Sequence, residues 1–336
     1  AIGRKLTSIE CCLLIDEAAV TIVAGNIRRS AGMRQFSSDD TSAAGAKENL
    51  WQQDSEGNWR IDPERDALRM ANHTRVYHTR PSRDVLLEAV TRQFHSGEGA
   101  IQFAPEALAR SNADLLTSKE LREEFIEIYC DQGRQEAGLW LQQNHGPISE
   151  EELEHRLSRY GLNPCGEILG ADFHCNLAEV HLNQIDPKDD ASQRDAFRAG
   201  ALSVACLLNH KFEVERYRQS RAWDPIVGVS FTGLFDFFVH AFGTPWLQWW
   251  EAGRPETKEG LDYKKQEADY LKRWKEIVNE TVWEYCDRHG LRRPNRCTTV
   301  QPAGTKSLLT GAAPGWHPPK AQRFIRRITF RKNDPV

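Results

Sequence analysis

The sequence predicts an α/β fold. Three observations carry the prediction: segments with the apolar spacing of helices alternate with short β-type runs, several helical segments open on a serine cap and close on glycine, and no internal repeat or low-complexity tract interrupts them. Residues 9–24 have helical spacing, and Gly25-Asn26 breaks it ahead of Ile27-Arg28-Arg29-Ser30-Ala31, a short strand or loop. Residues 37–65 are polar, rich in Ser, Asp and Gly, with Trp51 and Trp59 isolated among them, and are expected to form a long surface excursion. Ser82 caps a helix that carries Val85, Leu86, Ala89, Val90 and Phe94 and ends at Gly97. Ser118 and Ser149 start two more, the second with Glu152 in the capping-box position. An amphipathic helix is expected over 192–210, and a charged, Trp-bearing one over 264–288, closed by His289-Gly290. The β-type runs between them are 99–103, 178–182, 226–231, 298–300 and 325–330.

With 336 residues, 40% of them hydrophobic, the chain can bury one large core or two ordinary ones. Its 44 Lys and Arg against 48 Asp and Glu give a net charge of -4, which argues against a nucleic-acid-coating surface and for any phosphate being held in a local pocket. No apolar run approaches a membrane span, and the first residues lack a signal-peptide pattern, so a cytoplasmic protein without membrane attachment is expected. The eight cysteines have neither the spacing of a disulfide scaffold nor a C-x-x-C pair, so most read as buried thiols and no metal site is expected. The chain starts without Met and stops just after the strand-like basic run 324–332, and it reads as a piece of something longer.

The most informative string is Asn163-Pro164-Cys165-Gly166-Glu167. Pro164 and Gly166 disfavour helix on both sides of the cysteine, so Cys165 is expected at the tip of a tight loop. In a locally extended loop, Asn163, Cys165 and Glu167 would point to one side and offer an amide, a thiol and a carboxylate to one small ligand. Cysteine is among the most buried residues, so a structural thiol in a Pro-Gly turn is the competing reading.

Asn163-Pro164-Cys165-Gly166-Glu167-Ile168 resembles the finger-loop motif of ribonucleotide reductases, in its adenosylcobalamin-dependent (class II) form. Asp172-Phe173-His174-Cys175-Asn176-Leu177-Ala178-Glu179-Val180 resembles that family's second cysteine segment. Pro302-Ala303-Gly304-Thr305-Lys306-Ser307 and Pro314-Gly315-Trp316-His317-Pro318 resemble its phosphate-binding loop and the stretch after it. Weaker likenesses at 25–31 and 228–233 extend the similarity over most of the chain, apart from about 37–65 and 244–265.

The resemblance implies the ten-stranded α/β barrel of ribonucleotide reductases. Residues 1–336 would supply part of this catalytic domain, and 163–175 would be its central finger loop. It implies reduction of ribonucleotides to deoxyribonucleotides for DNA synthesis, with ribonucleoside triphosphates favoured as substrate. Cys165 would be the thiyl radical that takes the 3′ hydrogen of the ribose, generated by adenosylcobalamin. Glu167 would remove the 3′-hydroxyl proton, Asn163 would hydrogen-bond the substrate, and Cys175 would be one half of a redox pair re-reduced by thioredoxin or a similar dithiol. Adjacent strand positions face opposite ways, which argues against a His174–Cys175 dyad.

For the phosphates, Ala303, Gly304, Thr305, Lys306 and Ser307 would form an anion cradle at the start of a helix running from Leu308. The other redox cysteine and the carboxy-terminal relay cysteines of the family match nothing here. The remaining segments of the enzyme, through which dNTP effectors would act, are therefore expected as partners, and the isolated segment is expected to be inactive. The role of Arg28 and Arg29 stays open. Trp246, Trp249 and Trp250 read either as a stacking platform for bases or, favoured, as the anchor of an insertion. Three other readings stand beside this one: a class I reductase large subunit, a non-catalytic assembly segment, and a cysteine hydrolase pairing Cys165 with His210 or His317.

Overall fold

In the computed structural model, which describes residues 2–23 and 32–318, helices and short strands alternate along the chain. They are α1 (Ser8–Val23), β1 (Gly32–Ser37), α2 (Thr41–Gly45), β2 (Trp51–Gln53), β3 (Trp59–Ile61), β4 (Ala71–Tyr77), α3 (Arg83–Ser96) and β5 (Ala100–Phe103). There follow α4 (Ala104–Ser111), α5 (Lys119–Gln132), α6 (Arg134–His145), α7 (Glu150–Arg156), β6 (Gly161–Leu162), β7 (Leu169–Gly170) and β8 (Leu177–His181). The last elements are α8 (Asp190–Ala205), α9 (Glu215–Trp223), β9 (Gly228–Thr232), α10 (Leu234–Phe242), α11 (Thr244–Glu251) and α12 (Lys258–Arg288). Two units result. The first comprises the described residues up to Cys175 with His210–Ile226 and Arg292–Arg296, and the second comprises Asn176–Asn209, Val227–Leu291 and the described residues from Cys297.

The first unit is built on a parallel sheet in the order β1-β4-β5, with Gly32 opposite Ala71 and Thr74 opposite Ala100. Parallel neighbours need a crossover, and α3 supplies the one between β4 and β5. It starts where the sequence predicts, with Ser82 Oγ accepting from the Val85 N–H, and ends on left-handed Gly97. Ser118 and Ser149 cap α5 and α7 in the same way. Helices α4 to α7 enclose a core of Leu108, Leu116, Phe125, Leu141 and Leu157. Residues 37–65 are less of an excursion than expected: Asp40 caps α2, Ala43, Ala46 and Leu50 are buried, and only the β2–β3 hairpin carries its tryptophans, Trp51 and Trp59, into solvent.

The second unit pairs β8 with β9 in parallel, and a single bridge joins Val229 to Thr298 where the sequence predicts a strand. Phe197, Val204, Val229, Trp274, Val278 and Val282 fill its core between the strands and helices α8 and α12. Helices α8, behind its Asp189 cap, and α12, behind Thr257, both begin earlier than predicted. Trp246 and Trp249 are buried, Trp246 with its Nε1–H donating to Glu267 Oε1 at 2.7 Å, so they anchor the helices and offer no platform to a base. No helix among the described residues is long and apolar enough to cross a membrane. The predicted elements at 25–31 and 325–330, with Arg28 and Arg29, lie outside the described residues.

Candidate active site

The Cys165 loop is the tip of a two-residue-stranded hairpin in the first unit. Strands β6 and β7 pair antiparallel, Gly161 with Gly170 and Leu162 with Leu169. Only glycine fits at its base, because a Cβ on Gly161 would lie 2.6 Å from the Gly170 carbonyl oxygen and one on Gly170 would lie 2.6 Å from Phe173 Cδ1. The hairpin is tied to the parallel sheet at three points. Leu162 N–H donates to Gln35 Oε1 at 2.8 Å, Gln102 Nε2 donates to the Tyr160 carbonyl at 2.8 Å, and Asn72 Nδ2 donates to the Pro164 carbonyl at 2.6 Å.

Within the loop, Gly166 at φ +73° donates its N–H to the Asn163 carbonyl at 2.9 Å, closing a turn with Cys165 exposed at its tip. This turn corrects the expectation of an extended loop with three side chains in line. Asn163 is buried, its Oδ1 accepting from the Ile168 N–H at 3.0 Å and its Nδ2 lying 3.8 Å from Cys175 Sγ. Glu167 is half-buried, with Oε2 shielded from solvent. Asn163 thus links the hairpin that carries Cys165 and Glu167 to the segment that carries Cys175. All eight cysteines are thiols.

The segment leading to Cys175 is held by residues that sequence reasoning passed over. Arg159 donates to His155 Nδ1 at 3.2 Å, and since arginine only donates, Nδ1 is the acceptor and Nε2 carries the ring hydrogen. Nε2 lies 3.1 Å from the Ala171 carbonyl, which also accepts from Ser220 Oγ at 2.6 Å. Burial, then the neighbouring Arg159, holds the His155 pKa below the usual histidine range, which keeps that neutral tautomer at pH 7. Burial likewise lowers Arg159 to about 10, still charged at pH 7 beside Asp224 at 3.4 Å. Arg296 reaches the same Asp224 at 2.6 Å and the Leu169 carbonyl at 3.3 Å. Asp172 then adopts φ +48°, unusual outside glycine, and pairs with Arg216 at 3.1 Å. The His174 ring packs on Phe212 at 4.1 Å and edge-on to Tyr217 at 5.1 Å, and this aromatic packing, with the His210 ring 4.9 Å from the same Phe212, occupies both histidines. No local motif announces this network, because its members come from four separated stretches of chain.

In the second unit, Ala303 and Ser307 are buried while Gly304, Thr305 and Lys306 are exposed. The helix predicted from Leu308 is a single 3-10 turn, Lys306–Leu309, ended by Thr310 and by Gly311 at φ +68°. A turn that short aligns few dipoles, so it offers an anion local N–H groups and side chains more than a helix dipole. The Lys306 ammonium lies 3.0 Å from Glu179 Oε2, which also accepts from Gln301 Nε2 at 2.6 Å. The following stretch is pinned by Thr232 Oγ1, which accepts from the Gly315 N–H at 2.9 Å, and by Asp236, which accepts from the Ala313 N–H at 2.7 Å.

No family model matches the chain. Curated proteins do: the adenosylcobalamin-dependent ribonucleoside-triphosphate reductase of Levilactobacillus brevis is 26% identical over 345 residues, covering 100% of this chain and 39% of its own length. The protein of the same description from Lacticaseibacillus paracasei is also 26% identical, with the same coverage. The chain therefore spans about two fifths of the length of these curated relatives. A crystal structure of a B12-dependent (class II) ribonucleotide reductase matches with a TM-score of 0.61 and 18% identity, covering 94% of this chain and 37% of that one. Along its whole length the chain is similar to adenosylcobalamin-dependent ribonucleoside-triphosphate reductases, and its α/β fold is shared with part of the class II ribonucleotide reductase structure.

Proposed function

We propose that this chain carries the radical-bearing loop of an enzyme that reduces ribonucleoside triphosphates to deoxyribonucleotides for DNA synthesis. The observation that supports it most is the Asn163 link. One buried amide ties a hairpin bearing an exposed thiol and a half-buried carboxylate to the segment bearing a second thiol. Cys165, as a thiyl radical, takes the 3′ hydrogen of the ribose. Glu167, just past the turn, takes the proton of the 3′-hydroxyl as the 2′-hydroxyl, protonated by a thiol of the redox pair, leaves as water. Cys165 returns the hydrogen atom to C3′ at the end, which restores the thiyl radical. Cys175 and a second cysteine from elsewhere in the full-length protein provide the two electrons and become a disulfide, which thioredoxin or another dithiol reduces. Asn163 has a second N–H on Nδ2 to offer the substrate.

Adenosylcobalamin is the cofactor of the named relatives, and the residues here fit the part of its chemistry that falls to this chain. Cys165 is exposed, and nothing lies within 4 Å of where a Cβ on Gly166 would stand, so a bulky group has room beside the thiol. When bound, the cofactor supplies the radical that oxidises that thiol. Ala303 to Ser307 bind the substrate phosphates, with Thr305 and the backbone at Gly304 presented to solvent and Lys306 exchanging Glu179 for phosphate. Effector dNTPs act through regions outside these residues, and the thiol chemistry suits the reducing cytoplasm. The test is triphosphate reduction by the full-length protein with a dithiol, with and without adenosylcobalamin. Product that depends on the cofactor supports the reading, and product formed equally without it overturns it.

A further inference from the structure

His73 and Arg75 stand two residues apart on β4 and so face one side of the sheet, while Asn72 reaches Pro164 of the hairpin from the other. On their side is a cavity of about 560 Å³, lined also by Lys47, Glu48, Trp51, Arg92 and Glu98. Four of these charges pair with one another: Lys47 Nζ lies 2.9 Å from Glu98 Oε1, and Arg92 Nη1 lies 3.2 Å from Glu48 Oε1. Arg75 is left over. It is 9% exposed, its Nε makes no hydrogen bond, and among the described residues it has no carboxylate partner. His73 beside it is 4% exposed, and its Nε2 also makes no hydrogen bond.

A buried guanidinium without a counter-charge is costly, and folding offers two cheaper solutions, a carboxylate partner or an apolar side chain. Neither is adopted at position 75, although two carboxylates stand in the same cavity and are committed to other cations. The unmet demand is for one anionic group with several acceptor oxygens, which a planar guanidinium can grip with two parallel N–H bonds. Trp51 is 59% exposed at the rim, where its ring offers a face to a flat organic group. The chemistry assigned to 163–175 and 303–307 uses none of these residues.

We propose that this cavity binds a small organic phosphate, with Arg75 as the counter-charge of the phosphate and Trp51 as the contact for its organic part. The experiment is calorimetric titration of the full-length protein with phenyl phosphate and with inorganic phosphate, in a Lys306→Ala background that silences the other phosphate loop. Saturable binding that Arg75→Gln weakens by about tenfold or more supports the proposal. So does a Trp51→Ala variant that weakens phenyl phosphate several-fold and leaves inorganic phosphate within about twofold. Absence of binding in the Lys306→Ala background overturns it, as does a folded Arg75→Gln protein that binds as tightly as its parent. Should Arg75→Gln fail to fold, the exposed Trp51 decides: equal weakening of both probes, or of neither, overturns the site.

Discussion

Replacing Asn163 separates the two jobs its amide performs. Its Oδ1 is the acceptor for the Ile168 N–H at 3.0 Å, and Ile168 is 5% exposed, so Asn163→Ala strands that donor where water does not reach it. An unsatisfied buried donor costs about 1–3 kcal/mol. The Nδ2 contact to Cys175 Sγ, at 3.8 Å to a weak acceptor, adds little to that figure. Since the bond from Gly166 N–H to the Asn163 carbonyl uses only backbone, the turn survives and the loss falls on the strand that returns through β7. Native-state hydrogen exchange of the 161–170 peptide in the full-length protein should then rise about 5- to 150-fold at Ile168, the range that corresponds to this cost. Asn163→Asp keeps the acceptor, so Ile168 stays protected, but it turns a carboxylate oxygen toward Cys175. Alkylation of Cys175 by iodoacetamide should slow at least threefold or so, because a nearby negative charge disfavours the thiolate. Unchanged Ile168 exchange in Asn163→Ala would show that the amide does not hold the loop.

Other perturbations probe the supports around that site. Gly161→Ala places a Cβ 2.6 Å from the Gly170 carbonyl oxygen, so the β6–β7 pair should open and triphosphate reduction should fall at least tenfold or so; activity near wild type would contradict the hairpin geometry. Trp246→Phe removes the 2.7 Å bond to Glu267 while Arg254 still holds the other carboxylate oxygen, and urea unfolding should show a loss of about 2–4 kcal/mol. His73 carries a pH dependence of defined sign. Burial, then Lys47, lowers its pKa from 6.5 to about 4, so between those values the unfolded chain binds a proton that the folded chain refuses. Stability from this ring is therefore complete above about pH 6.5 and falls by about 2–3 kcal/mol as the pH drops toward 4. His73→Gln should flatten that part of the profile measured by urea unfolding, and a profile that keeps its slope would show that other groups produce it.

Local chemistry was legible where side chains speak to their own backbone. Ser82, Ser118 and Ser149 each accept from the N–H three residues on, and Gly97 closes α3 in the left-handed conformation. The Cys165 turn was legible for the same reason, since Pro164 and Gly166 restrict the backbone directly. Strand β4 was not, because its buried run includes His73, Thr74 and Arg75, and polar residues in a buried strand erase the apolar signal that marks one. Helix α4 starts immediately after β5 with Phe103 at the cap position and no side-chain cap, so no polar residue announces it. The phosphate-loop helix was over-read: Gly304-Thr305-Lys306-Ser307 has the composition of a helix start, yet Gly311 ends the structure after one turn. The support of the Cys175 segment by His155, Arg159, Ser220 and Arg296 depends on tertiary contacts that spacing does not encode.

The reading rests on Cys165 as the atom that takes the ribose 3′ hydrogen, and the most direct measurement is release of tritium from 3′-tritiated ribonucleoside triphosphate. The full-length wild type, Cys165→Ser and Cys175→Ser would be compared in the presence of adenosylcobalamin. Wild type should release tritium only with the cofactor, Cys175→Ser should release some with little deoxyribonucleotide formed, and Cys165→Ser should release none above background. Tritium release that persists in a folded Cys165→Ser protein would overturn the assignment of Cys165, because another group would then be doing the abstraction.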